Sequence, residues 1–339
     1  MSGPYVDPRA GRTTLDSFAG TWLDAQTFDG PTREAIASRV RVHIAPHLGS
    51  VELRHLRPST IQAWVRGGQP KVAPSYCRLL LSNLSTILDA AVEDGLIARN
   101  PAASSSLRAP RVERGRVVPW TVERVQAVVD AHPDPYRAAR VLGAGCGLRQ
   151  GEVFGIEVGA VDFLRRTVHV RMQVRRVGAR LVFAPPKGGR ERDVPLPELV
   201  SVELAEQLRR RPPTEVTLPW LDPGGAPRTA SLIFANRHGD ALTRAWYLHN
   251  AWKPALVCAG IEPEMRRNGF HALRHHYASV LLDGGVSIRA VAEYLGHHDP
   301  GFTQRTYAHL MPASEDRARA AIDAAHAPAD SVRTGEASD

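Results

Sequence analysis

The chain reads as two domains: an all-α N-terminal unit, then a larger, mostly α (α+β) unit carrying a small antiparallel sheet. Three observations predict this. Apolar residues recur at helical spacing from residue 14 to about 100, without strand-like alternation. Residues 101–119 then lose periodicity and fill with Pro, Ser, Ala and Arg. Farther on, Val168, Val170, Met172 and Val174 alternate with polar residues, the period of a half-buried strand.

The elements follow in order. In TLDSFAGTWLDA, Thr14 or Asp16 can cap a helix with Leu15, Phe18, Trp22 and Leu23 at helical spacing. PTREAIASRVRVHIAPHLG opens on Pro31, a good first-turn residue, and repeats Ile36, Val40 and Ile44. PSTIQAWVRG forms a third helix. APSYCRLLLSNLSTILDAAVEDGLI forms a long fourth, with Leu80, Leu84, Ile87, Leu88 and Ala91 on one stripe and Gly95 to end it. In the 101–119 linker, Arg108, Arg111, Arg114 and Arg116 can track a phosphate backbone or coat a solvated hinge; the two readings stand level. The second domain is expected over 120–326. Thr121 and Glu123 signal its first helix, and DPYRAARVLGAGCGLRQGEVFGI gives two more, joined near residues 145–147. After the strand of Val168 to Val174 come strands at 181–183 and 192–196, with turns at 177–179 and 187–190. Helices resume at 199–211, 244–257, 270–282, 288–295 and around Tyr307. RPPTEVTLPWLDPGGAPRTA reads as a Pro- and Gly-rich surface excursion. Residues 1–13 are expected to be a flexible N-terminus and 327–339 a disordered tail.

Composition narrows the function. A length of 339 residues suffices for two or three cores, and a net charge of +8 favours a polyanionic partner. No apolar run approaches the ~18 residues of a membrane span, and the N-terminus has no apolar leader. Cys77, Cys146 and Cys258 are scattered and lack a CxxC, which argues against a disulfide framework or zinc finger and for a reducing cytoplasm. The basic residues are almost all Arg; the lysines are Lys71, Lys187 and Lys253. Arg offers a planar fork to phosphate, whereas Lys can also release a proton.

The densest cluster is GFHALRHH. His271 and Arg274 share a helix face, and Asn268 is a plausible cap that puts His271 in the positive first turn. His271 and His275 also stand at the i, i+4 spacing of an HExxH zinc site, but Ala272 replaces its Glu. In GCGLRQGE, Arg149 stands three residues before Glu152, which alone reads as a surface ion pair. PPKGGRERDVPL puts Lys187 at the tip of a predicted hairpin. LGHHDPGFTQRTYAHL puts His297 and His298 ahead of a Pro300-Gly301 break, with Tyr307 behind it. Together these residues form one kit for cleaving a phosphodiester. Two guanidinium forks, Arg149 and Arg274, suit the non-bridging oxygens, on which charge builds during in-line attack. No carboxylate cluster for Mg²⁺ appears, so the two arginines would replace a metal. Tyr307 can attack, His271 can accept its proton, Lys187 can protonate the departing 5′ oxygen, and His297 can hydrogen-bond the phosphate.

The order GLRQGE, PPKGGRERDVPL, HALRH, LGH and TYAHL resembles the tyrosine recombinases, or phage integrases, over most of the chain. The resemblance implies a SAM-like core-binding domain at 14–100 and the family's catalytic domain beyond the linker. It gives Arg149, Lys187, His271, Arg274 and His297 active-site roles, makes Tyr307 the nucleophile, and matches Glu152 to the acid that buttresses the first Arg. His275 matches a position with a less defined role. It implies metal- and ATP-independent exchange through a 3′-phosphotyrosine and a Holliday junction, by a tetramer on paired DNA sites, with an accessory excision factor in some cases. A bacterial or mobile-element origin and a place at the nucleoid follow from the same likeness. No strand-rich arm-binding domain precedes residue 14, which keeps a Xer-type resolving enzyme beside an integrase. A type IB topoisomerase shares most of the kit, but typically lacks the residue matched by His271.

Overall fold

The computed structural model describes residues 10–67, 72–112, 117–131, 134–264, 267–297 and 299–307, with a few positions between 319 and 326. Two compact units emerge: Met1–Gly115 with Val177–Ala179, and Arg116–Arg176 with Arg180–Asp339.

The first unit is helical. Thr14, of the two possible caps, accepts from the Ser17 amide at 3.4 Å and starts α1 (Leu15–Ala25). Asp29 caps α2 (Gly30–Arg39), with Pro31 in the first turn, and the helix continues into a π-wound stretch, Val40–Gly49. Next come α3 (Pro58–Gly67) and α4 (Pro74–Glu93). The expected stripe of α4 is fully inside: Leu80, Leu84, Ile87, Leu88 and Ala91 are each at most 1% exposed. Burial of each such leucine or isoleucine contributes about 2 kcal/mol. Leu84, Ile87, Leu88 and Ala91 meet Leu15, Phe18 and Ile44 in one core.

Part of the segment read as a linker is fastened to this unit. Asn100 binds Ser85 and Asp89 and caps a short turn, Pro101–Ala103. Leu107 packs on the core, Gln62 clasps the Arg108 backbone, and Arg78 donates to the Pro110 carbonyl. These anchors come from side chains far away in sequence, so the composition of the segment gives no hint of them.

The second unit is α+β and mostly helical, as expected. Its helices are α5 (Val122–Asp130), α6 (Arg137–Gly145), α7 (Gln150–Phe154), α8 (Glu198–Arg210), α9 (Arg244–Tyr247), α10 (Lys253–Cys258), α11 (His271–Asp283), α12 (Ile288–Leu295) and α13 (Pro300–Tyr307). Its strands are β1 (Val161–Asp162), β2 (Thr167–Val170), β3 (Gln173–Val177), β4 (Arg180–Ala184), β5 (Arg192–Pro195), β6 (Thr214–Pro219) and β7 (Pro227–Leu232). They form three small sheets among the described residues, ordered β1-β2-β5, β3-β4 and β6-β7. The pairs β1·β2, β2·β5 and β6·β7 are antiparallel.

Three expectations change here. The single strand over Val168 to Val174 breaks at Arg171, whose guanidinium turns back to the Arg192 carbonyl and Asp193; β2 and β3 therefore join different sheets. Lys187 consequently sits on a connection between sheets, not on a hairpin tip. The supposed surface excursion is the hairpin β6–β7, with Val216 opposite Ala230 and Thr217 bonded to Thr229 at 2.7 Å. Its Pro and Gly residues cluster in the turn and at the strand ends, and they mask the alternation between.

Candidate active site

The site gathers around the turn between α6 and α7 in the second unit and draws in residues of the α11–α13 region. Gly147 makes that turn with φ +63°, and a Cβ there would lie 2.4 Å from the Tyr277 ring. Its carbonyl accepts from Arg274 Nη1 at 2.6 Å. The next turn residue, Leu148, is fully buried, and Arg149 follows as the residue preceding α7.

Arg149 and Glu152 are not the surface pair that spacing alone suggests. The Glu152 side chain is fully buried. It accepts from the Arg149 backbone amide at 2.8 Å and from Arg149 Nη1 at 2.9 Å. Arg192 of β5, itself buried, grips both carboxylate oxygens at 3.0 and 2.7 Å. Burial pushes the carboxyl pKa up, but the Arg192 bond and charge, with Arg149 and Arg274 behind, outweigh it and hold the pKa at about 2. Arg192 also donates through Nε to the Tyr294 carbonyl at 2.7 Å and packs beneath Gly296, where a Cβ would come within 3.1 Å of it. Sequence reasoning saw Arg192 only as a strand residue. Its strict alternation with buried Val194 was the one signal that it faces inward.

Arg274, in the first turn of α11, is 1% exposed and spans from Gly147 to the carbonyl of Leu295 at the end of α12. Burial, then the neighbouring Arg149, lowers its pKa to about 9, so it stays charged at neutral pH. Asn268 does not cap this helix. Its side chain bonds the Glu262 carbonyl and Arg124, and its own carbonyl accepts from Trp252. His271 nevertheless begins α11.

Gly296 ends α12 in the left-handed conformation, φ +61°, and its carbonyl accepts from Arg149 Nη2 at 3.2 Å. The helix break therefore lies at Gly296. Pro300 and Gly301 do not break a helix but open α13: a first-turn Pro forfeits an amide that has no helical partner, and Asp299 accepts from the Gly301 amide at 2.8 Å. His298 lies outside the described residues.

Arg149, Lys187, His271, Arg274 and His297 line one cleft of about 520 Å³. Lys187 is exposed there, and Arg190 on the same loop donates to the His297 carbonyl at 3.2 Å. The histidines are held neutral. Desolvation by the cleft walls comes first in pulling His271 down to about 4, followed by His275, Arg274, Arg149 and Lys187. His275 falls to about 4 through burial and then Arg274. His297 falls to about 3 through burial and then Arg274 and Arg149. His297 Nδ1 is bonded to Thr303 Oγ1 at 2.7 Å, and its ring meets Phe302 edge-on.

Tyr307 does not line the cleft. It is 2% exposed, and burial, partly opposed by Arg274, raises its pKa to about 12. The group at its hydroxyl is His275, with Nδ1 2.6 Å away, and not His271. The i, i+4 rings of His271 and His275 stand edge-to-face at 4.7 Å, so His275 bridges the cleft and the tyrosine. The rotation of α11 decides which histidine reaches α13, and residue spacing alone does not specify it. Among the described residues no cluster of three or more His, Cys, Asp or Glu could hold a metal ion, and no helix is long and apolar enough to cross a membrane. Arg108 and Arg111 are exposed in the first unit; Arg114 and Arg116 lie outside the described residues.

The phage integrase family model matches residues 121–313. The prophage phiRv2 integrase of Mycobacterium tuberculosis is 28% identical over 318 residues, covering 90% of this chain and 76% of its own. The solved integrase of transposon Tn1549, in complex with a circular intermediate DNA, superposes with a TM-score of 0.77 at 19% identity, covering 92% of this chain and 99% of its own. A lambda integrase tetramer bound to a Holliday junction gives a TM-score of 0.65 at 18% identity, covering 89% and 78%. The chain thus belongs to the phage integrase family and is a site-specific recombinase of the tyrosine type.

Proposed function

We propose that this recombinase integrates and excises a mobile DNA element by cleaving and rejoining strands through a covalent 3′-phosphotyrosine at Tyr307. The observation that carries the reading is the cleft itself: Arg149 and Arg274, of the four arginines that line it, converge with one lysine and two neutral histidines, and the tyrosine lies one histidine away. Arg149 and Arg274 neutralise the charge that grows on the non-bridging oxygens. The Tyr307 oxygen attacks phosphorus, the bond to the 5′ oxygen breaks, Tyr307 passes its proton to His275, and Lys187 supplies one to the departing 5′ oxygen. Glu152 and Arg192 keep Arg149 aimed. His271 and His297 donate to the scissile phosphate.

The resting geometry stores the nucleophile. Burial raises Tyr307 to about 12 and lowers His275 to about 4, so proton transfer from the tyrosine to the histidine is uphill in the resting geometry. Attack therefore needs two changes: a bound phosphate whose negative charge raises the histidines, and a swing of α13 about Gly296 that brings the hydroxyl to the cleft. The wider organisation extends the same reading. The helical N-terminal unit also binds DNA. The basic residues Arg108, Arg111, Arg114 and Arg116 track its backbone. Four copies synapse two sites, and an accessory factor directs excision in the nucleoid of a bacterial host. The tetramer of lambda integrase supports the assembly, and the phiRv2 relative supports integration over dimer resolution.

The test uses a duplex spanning the junction between the element that encodes the chain and its flanking DNA, nicked so that the cleaved end diffuses away. Wild type should accumulate an SDS-resistant adduct on a peptide containing Tyr307. Tyr307→Phe should bind the duplex and form none, whereas Tyr277→Phe and Tyr294→Phe should still form it. An adduct that persists in Tyr307→Phe overturns the reading.

A further inference from the structure

We propose that Thr303 is a positioning residue that fixes which nitrogen of His297 carries the proton, and so presents Nε2–H to the scissile phosphate. The inference rests on the cleavage chemistry proposed above. Thr303 is fully buried, in the first turn of α13. Its Oγ1 lies 2.7 Å from His297 Nδ1. A buried hydroxyl needs an acceptor. Two helical threonines, Thr21 and Thr86, give theirs to the carbonyl one turn back, of Ser17 and Ser82. Among the described residues Thr303 has no such carbonyl bond, and the imidazole is the acceptor it meets. The hydroxyl therefore donates to Nδ1. The neutral ring must then carry its proton on Nε2, the remaining polar atom of a residue that lines the cleft. Burial, then Arg274 and Arg149, keep the ring neutral, so its contribution to a phosphate is a hydrogen bond set by tautomer rather than a full charge.

The placement has a mechanical consequence. Thr303 precedes Tyr307 by four residues, about 6 Å along the helix. Thr303 stands near the pivot and Tyr307 at the far end. A swing of α13 can thus deliver the tyrosine while the Thr303–His297 bond stays closed, so the phosphate donor and the nucleophile are indexed to one rigid helix.

The experiment uses the full chain labelled with ¹⁵N-histidine. Long-range ¹H–¹⁵N correlations show which ring nitrogen is protonated, and His297→Gln identifies the signal. Wild type and Thr303→Ser should show His297 as Nε2–H with an Nδ1 acceptor shift. Thr303→Val, nearly isosteric, should lose that shift. In single-turnover cleavage of the nicked junction duplex, Thr303→Val should be about tenfold slower with duplex affinity unchanged within about twofold, and Thr303→Ser should recover most of the rate. An Nδ1–H tautomer in wild type overturns the proposal, and that reading stands even if the valine variant misfolds. A folded Thr303→Val that cleaves at the wild-type rate also overturns it. Absence of any Tyr307 adduct in wild type would instead defeat the proposed cleavage reaction and leave the tautomer result intact.

Discussion

At the scale of single residues, the side chains around the cleft divide by whether they are held or free. Arg149, Arg274 and Arg192 are fastened by named hydrogen bonds, whereas Lys187 is exposed on its loop. A free lysine suits a proton donor that arrives with the substrate. Lys187→Arg keeps the charge but offers no proton near neutral pH. It should cleave an ordinary duplex on the order of a hundredfold more slowly and recover on a duplex with a 5′-thio leaving group, which needs little protonation. Equal rates of wild type and Lys187→Arg on ordinary DNA would remove the lysine from that role. Arg192→Met tests the opposite kind of residue. It leaves the Glu152 carboxylate buried with a weaker set of partners, and loss of about 3 kcal/mol or more in urea unfolding is expected. Glu152→Gln in the same background should return part of that loss, because the orphaned charge is gone.

At the scale of elements, α11, α12 and α13 set the titration behaviour. The unfolded chain protonates its histidines near the ordinary value of 6.5, while His271, His275 and His297 stay neutral in the fold until about pH 4, 4 and 3. The unfolded state therefore binds more protons below pH 6.5, and stability must fall as the pH drops through that window. Glu152 adds to the loss between its ordinary range and about pH 2, where its favourable pairing disappears. Urea midpoints at pH 5 should lie below those at pH 7 by an amount equivalent to up to roughly 4 kcal/mol, about 2 from each of His275 and His297, with His271 set aside because it is exposed to solvent. His275→Gln should flatten part of that slope. A slope of opposite sign would mean that the three rings do not sit among cations as described.

At the scale of the whole molecule, the net charge of +8 is the relevant quantity. Binding of duplex DNA through the helical unit, the basic segment and the cleft should displace several counterions. Affinity measured by fluorescence anisotropy should then fall by on the order of a thousandfold between about 50 and about 200 mM salt. A shallow dependence would show that few phosphates are neutralised. Cleavage of the nicked duplex should also survive excess EDTA. Activity that vanishes with EDTA and returns with Mg²⁺ or Zn²⁺ would replace the two-arginine mechanism with a metal.

The sequence by itself determined what periodicity and residue chemistry control. The α4 stripe, the cap at Thr121 and a turn near residues 145–147 are local matters of spacing and backbone sterics, and each is read without knowing the rest of the fold. The set of chemically active side chains was also legible, because a two-guanidinium, lysine and tyrosine kit is rare enough to name its chemistry. What only the tertiary structure decided is partnership. Which histidine meets Tyr307 depends on how α11 packs on α13. Glu152 is shared by two arginines because β5 passes behind α7, a contact across 40 residues of sequence. Thr303 becomes the partner of His297 because the chain restarts as α13 immediately after the turn at Gly296. Hydrogen bonds and desolvation act over a few ångströms, so they depend on which elements touch. That depends on the packing of every helix in the unit, and no window of sequence contains it.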